Sequence, residues 1–151
     1  IYNPIDGDRF KVYNKVKTKE VTLFVGTIDY LRKNTIFDLV KYTKENNKKL
    51  WLVGVNKSNY LDELLKNEHI SHHPATWDVE RYVKECDETA SILMGRTTIE
   101  GWLCGKSGWI YQIDKEGNIT SKEKHEVPFD VDKFKSENVA SEIIKEYESV
   151  I

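Results

Sequence analysis

Val21-Thr22-Leu23-Phe24-Val25-Gly26 is a compact apolar run, rich in β-branched residues, that ends on glycine. Leu50-Trp51-Leu52-Val53-Gly54 and Ala90-Ser91-Ile92-Leu93-Met94-Gly95 repeat the design. Short strands that are apolar throughout belong in a sheet covered on both faces, which is a parallel sheet. His69-Ile70-Ser71-His72-His73 reads as a weaker strand, and Trp109-Ile110-Tyr111-Gln112-Ile113 as a better one.

Helices are expected between these runs. Ile36, Leu39, Val40 and Thr43 follow the i, i+3, i+4, i+7 rule, with Thr35 and Asp38 placed like a capping box. Tyr60, Leu61, Leu64 and Leu65 form a second stripe, opened by Ser58 or Asn59, and Val79, Tyr82, Val83 and Cys86 a third, capped by Asp78. Ile99, Trp102 and Leu103 form a short fourth helix that Gly105 can end in a left-handed conformation. Val139, Ala140, Ile143, Ile144 and Tyr147 make a last one, starting near Ser136. One helix per crossover predicts an α/β fold with a Rossmann-like, doubly wound, mainly parallel sheet. Residues 1–20 read as a linker-like lead-in, residues 21–151 as one α/β domain, and Lys115 to Lys135 as a polar, turn-rich connection.

The chain has 151 residues, enough for one cored domain, with 39% hydrophobic and 32% charged residues. Its 23 basic and 25 acidic side chains are spread evenly and give a net charge of −2, which argues against a nucleic-acid partner. No apolar stretch is long enough to span a membrane, and no leader pattern opens the chain. Cys86 and Cys104 read as small buried hydrophobes, and a reducing, cytoplasmic setting is expected. A start on Ile1 suggests a piece of a longer protein.

Ligands of doubly wound sheets bind beyond the carboxyl ends of the strands. After the first strand, Gly26-Thr27 allows close approach to the backbone, and Arg32 and Lys33 supply positive charge at a helix start. On its own this segment reads more simply as a solvated basic pair beside a tight turn. His72-His73-Pro74 lacks metal-ligand spacing, so a structural or ring-stacking role is expected, with Pro74 holding the backbone extended. Gly95-Arg96-Thr97-Thr98-Ile99-Glu100 is a tight strand-to-helix junction. The Arg96 fork and the free amides of the helix start form an anion corner, and Glu100 is placed to accept ribose hydroxyls. The competing reading is that Thr97 caps the helix and Glu100 complements its dipole. The tail Gly105-Lys106-Ser107 is no phosphate loop, because Glu100 stands where that loop needs glycine.

As an ordered series these segments resemble the C-terminal, donor-binding domain of retaining GT-B glycosyltransferases of the group 1 type. Asn3-Pro4-Ile5-Asp6 with Phe10 is similar to the element that ends their interdomain linker. Thr98-Ile99-Glu100-Gly101 through Gly105-Lys106-Ser107-Gly108 resembles their Leu-Glu-Ala to Gly-x-Pro-Val segment. The resemblance implies a nucleotide-diphosphate-sugar substrate, with no cofactor and no metal. By position, Glu100 would bind the ribose, Lys33 and Arg32 the pyrophosphate, Gly26-Thr27 would border the phosphates, and the His73-Pro74 backbone would meet the base.

Two departures stand out. The family's first glutamate falls at Ile92, and Thr27 occupies the place of a frequent arginine, a charge Arg96 is expected to restore. No catalytic residue is assigned. The resemblance further implies an N-terminal acceptor-binding domain in a longer parent, peripheral membrane association through that domain as an option, and a fragment inactive alone. The alternatives are a non-catalytic nucleotide-binding or protein-interaction module, or another nucleotide-sugar enzyme such as an epimerase.

Overall fold

The computed structural model describes residues 20–74 and 78–128. The lead-in, the segment 75–77 and the expected last helix lie outside the described residues. Ten elements alternate: β1 (Val21–Val25), α1 (Lys33–Glu45), β2 (Lys49–Val53), α2 (Leu61–Leu64), β3 (Ile70–His73), α3 (Val79–Glu85), β4 (Glu88–Ile92), α4 (Arg96–Leu103), β5 (Ser107–Ile113) and β6 (Ile119–His125).

The strands form one sheet in the order β3-β2-β1-β4-β5-β6. The pairs from β3 to β5 are parallel and β5 pairs β6 antiparallel. The fold class is therefore the one expected, a Rossmann-like doubly wound α/β domain. Alternate side chains of each strand enter two separate cores. Val21, Leu23, Trp51 and Val53 pack with α3 and α4 on one face. Phe24, Ala90, Leu50 and Leu52 pack with α1 and α2 on the other. Glycine at Gly101 lets α4 close on β4, since a Cβ there would lie 2.9 Å from Thr89 Cγ2.

Several expectations need correction. The stretch taken as a polar connection contains β6, an edge strand whose residues are mostly exposed. It holds its place through long side chains: Lys122 reaches Asp38 at 2.9 Å and Lys124 reaches Glu88 at 3.5 Å. The capping box of Thr35 and Asp38 does not form, because the N-cap of α1 is Arg32, three residues earlier. Thr35 is buried inside the first turn, and Asp38 accepts from the Tyr111 hydroxyl at 2.6 Å. Ser58 and Asn59 do not open α2, which starts at Leu61 after Tyr60. Cys86 and Cys104 each sit one residue past a helix, buried and joined by no disulfide. Burial pushes the Cys86 thiol up to about 12 and the Cys104 thiol to about 11, so both act as hydrophobes.

At the amino ends of the strands, Glu88 is only 2% exposed and fully engaged. It accepts from Tyr42 at 2.8 Å, Thr22 at 3.1 Å and Trp109 Nε1 at 3.2 Å, and pairs with Lys48 at 2.9 Å. This knot ties α1, β1, β4, β5 and the residue that precedes β2 together on the side away from the strands' carboxyl ends. Among the described residues, no helix is long and apolar enough to cross a membrane.

Candidate functional site

The strand order places β1 beside β4, and the chains leaving them diverge to opposite faces: α1 on one, α4 on the other. Such a switch point opens a crevice at the carboxyl ends. A cleft of about 360 Å³ lies there, lined from the β1 side by Val25, Gly26, Leu31 and Arg32 and from the β4 side by Ser91, Ile92, Leu93, Gly95, Arg96 and Thr97. Phe24 and Ile113, at the end of β5, complete it.

On the β1 side the turn is fixed by backbone bonds. The Gly26 N–H donates to the Val53 carbonyl at 2.9 Å, and the Ile28 N–H to Val55 at 2.9 Å. Gly26 in turn lies directly on Gly54. A Cβ on Gly54 would sit 2.0 Å from the Gly26 carbonyl oxygen, and φ there is +152°, so only glycine fits. Asp29 then folds the chain into α1: it accepts from the Arg32 N–H at 3.0 Å and pairs with the Arg32 guanidinium. The Tyr60 hydroxyl donates to the Asp29 carbonyl and locks the turn from α2. The Lys33 ammonium does not enter the cleft. It rests over the rings of Tyr30, Phe37 and Tyr60, at 5.3, 5.7 and 5.8 Å, a cation–π arrangement.

On the β4 side the turn has an unusual residue. Leu93 adopts φ 63°, the left-handed region, with its side chain 57% exposed. Two bonds hold it: its N–H donates to the Tyr111 carbonyl at 2.7 Å, and its carbonyl accepts from Ser91 Oγ at 3.0 Å. Ser91 Oγ also meets Thr98 Oγ1 at 2.8 Å, and the Gly95 N–H donates to Thr98 Oγ1 at 3.5 Å. Gly95, not Thr97, is the N-cap of α4, and nothing lies within 4 Å of where its Cβ would be. The first amides of α4 have no acceptor within the helix. Arg96 Nε donates to Glu100 Oε1 at 2.6 Å, one turn on. Glu100 is buried, whereas the Arg96 side chain is 56% exposed.

Of the residues picked from the sequence, Gly26, Arg32, Gly95, Arg96 and Thr97 come together on the cleft wall. Thr27, Lys33, Thr98 and Glu100 do not line it. Thr98 instead builds the turn, and Glu100 holds Arg96. His73 and Pro74 stand at the edge strand, two strands from β1. His72 Nε2 donates to the Gly54 carbonyl at 2.8 Å, while the His73 ring packs on Tyr82 at 4.9 Å and Trp51 at 6.1 Å. Burial, with the nearby His72 and Arg81, lowers the His73 pKa. Sequence reasoning passed over Leu31, Leu93 and Ile113; the strand-end rule that selected Gly95 applies equally to Leu93 and Ile113.

No protein-family model matches the chain, and no curated protein does. Solved structures do share its fold. AviGT4, a glycosyltransferase involved in avilamycin A biosynthesis, superposes with a TM-score of 0.60 at 13% identity, covering 74% of this chain and 38% of its own. Alr3699/HepE from Anabaena, in complex with UDP, superposes with a TM-score of 0.55 at 18% identity, over 72% of this chain and 36% of its own. The same protein in complex with UDP-glucose gives 0.55 at 19% identity, over 70% and 36%. The chain thus spans little more than a third of the structures it resembles.

Proposed function

We propose that this chain is the donor-binding half of a retaining GT-B glycosyltransferase, and that the cleft between β1 and β4 grips the diphosphate of a nucleotide sugar. The observation that carries the reading is the meeting of Arg32, Arg96, two glycine turns and the start of α4 in one cleft at the switch point. Guanidinium forks match phosphate oxygens, a helix start favours an anion, and glycines let phosphates approach the backbone. Support comes from the shared fold: HepE was solved with UDP and with UDP-glucose.

In this reading Arg32 and Arg96 meet the two phosphates, with Gly26-Thr27, Gly95 and the Thr97 and Thr98 amides around them. Lys33 leaves its aromatic rings to join them. The nucleoside runs toward His73 and Pro74. Glu100 takes the ribose hydroxyls once Arg96 turns to the diphosphate. Arg32, Arg96 and the helix start meet the charge of the departing diphosphate. Sugar transfer to a carbohydrate, lipid or protein acceptor then belongs to a longer cytoplasmic parent with an acceptor-binding domain across the cleft.

Calorimetric titration of the chain with UDP, GDP and ADP tests this, repeated on Glu100→Ala. Binding of one of the three, weakened in the variant, is expected; binding of none would sink the reading. Rapid transfer by this chain alone would contradict the two-domain part.

A further inference from the structure

The two arginines of the cleft are held in different ways. Arg96 is largely exposed and pairs through its Nε with Glu100, a residue of its own helix. Arg32 is only 33% exposed and is bound twice by one carboxylate. Asp29 Oδ1 accepts from the Arg32 N–H at 3.0 Å, and Asp29 Oδ2 from Arg32 Nη1 at 2.5 Å. Arg32 Nε then lies 3.8 Å from where a Cβ on Gly26 would be, beside the open face of that glycine.

Asp29 is itself braced. The Ile28 carbonyl before it accepts from the Lys57 N–H at 2.7 Å, and the Tyr60 hydroxyl donates to the Asp29 carbonyl at 2.5 Å. Burial, with the Asp29 charge, pushes the Tyr60 pKa up to about 12, so that hydroxyl keeps its proton. The residues that follow are fastened to the β5–β6 turn. A Cβ on Gly117 would lie 2.6 Å from the Leu31 carbonyl oxygen, and Asn34 Nδ2 donates to the Gly117 carbonyl at 3.1 Å.

Resting on the donor-site reading above, we propose that Asp29 is a positioning residue of the diphosphate site, which holds the Arg32 guanidinium beside Gly26 ahead of the ligand. The pair with Asp29 engages Nη1, and a guanidinium carries further N–H groups on Nε and Nη2 for phosphate oxygens. Ordering a long side chain before binding raises affinity, because the ligand no longer has to immobilise it. The Asp29 charge acts in the opposite sense, since it repels a diphosphate. Salt screens that repulsion and leaves the ordering in place.

Asp29→Asn separates the two effects. The asparagine Oδ1 can still accept from the Arg32 N–H, so the turn stands while the guanidinium loses its anion. Asp29→Ser, whose hydroxyl can accept from the same amide, serves as a second variant. Calorimetry with UDP, GDP and ADP identifies the diphosphate that the wild-type chain binds. The variants are titrated with that one in about 1 M NaCl, where the Debye length is about 3 Å. Asp29→Asn should bind it about 3-fold to 10-fold more weakly. In an Arg32→Gln background the same substitution should bring no loss, because no guanidinium is left to place. Nitrogen-15 relaxation of Arg32 Nε–H in the free chain should report an ordered side chain in wild type and a mobile one in Asp29→Asn. Equal or tighter binding by Asp29→Asn overturns the role and leaves the donor reading standing. So does an equal loss in the Arg32→Gln background, or an Arg32 side chain as ordered in the variant as in wild type. If wild type binds none of the three diphosphates, both readings fall together.

Discussion

Arg96 Nε lies 2.6 Å from Glu100 Oε1, so the cleft-wall arginine is held from behind by a buried carboxylate one helical turn on. A ligand diphosphate must compete with Glu100 for Arg96, and the pair lies half in solvent, where ion pairs are weak and movable. Arg96→Ala should lower nucleoside diphosphate affinity about 10-fold or more, the scale of one charge-assisted contact. It should also cost about 1–3 kcal/mol of stability, because the buried Glu100 carboxylate loses its arginine. Calorimetry and urea unfolding measure the two effects separately; unchanged affinity would remove Arg96 from the site.

The two glycine turns predict opposite outcomes. Gly54→Ala drives a Cβ into the Gly26 carbonyl and demands a φ that alanine avoids. It should destabilise the fold by about 2 kcal/mol or more and displace the cleft wall. Gly95→Ala meets nothing and has an ordinary extended φ, so stability should stay within about 0.5 kcal/mol. Its Cβ would nonetheless crowd a ligand at the helix start. A clear loss of diphosphate affinity with an unchanged unfolding midpoint is the expected signature.

Acid should probe Glu88. Burial alone would raise its pKa, yet the hydrogen bonds from Lys48 and Tyr42 and the charges of Lys48 and Lys124 outweigh it and hold the carboxyl below its usual 4.5. A lowered folded-state pKa stabilises the fold above the unfolded value, and that contribution drains as pH falls through the folded value. Urea unfolding should therefore show stability dropping below about pH 4.5, with a shallower drop in Glu88→Gln. Lys48→Met, which leaves the buried carboxylate without its closest cation, should cost roughly 3 kcal/mol at neutral pH.

Helix α4 is fitted to β4 through a residue without a side chain. Gly101→Ala presses on Thr89 Cγ2 and should cost about 1–3 kcal/mol. Thr89→Ser removes that methyl, so the double variant should lose less than the sum of the single ones. A thermodynamic cycle of unfolding free energies checks the coupling, and strict additivity would contradict the contact.

β1 and β2 were legible because each is buried on both faces and so reads as a nearly unbroken apolar run. β6 was not, since it lies at the edge and its anchors are the ammonium ends of Lys122 and Lys124, which look like any solvated charge. The capping box failed at Thr35 because an Asp29–Arg32 turn, invisible to helical periodicity, sets the start of α1 earlier. At the site, strand-end position picked out Gly26, Gly95 and Arg96, all on the cleft wall. The mutual grip of Arg96 and Glu100 was present as an i, i+4 spacing, a known pairing distance on helices, but each residue was matched to a ligand before being matched to the other. Leu93 and Ile113 on the cleft wall escaped because leucine and isoleucine at strand ends are indistinguishable from core residues until the turn conformation is known.

The hairpin between β5 and β6 has a role that its polar sequence conceals. Its turn, Asp114 to Asn118, is braced from within by the Asp114 carboxylate and abuts the backbone of Leu31 across the sheet. Turns of this kind normally absorb insertions freely. Here the length of the turn works as a gauge block, setting how far the first residues of α1 stand from the end of β4. One added residue in this turn would change the aperture between them.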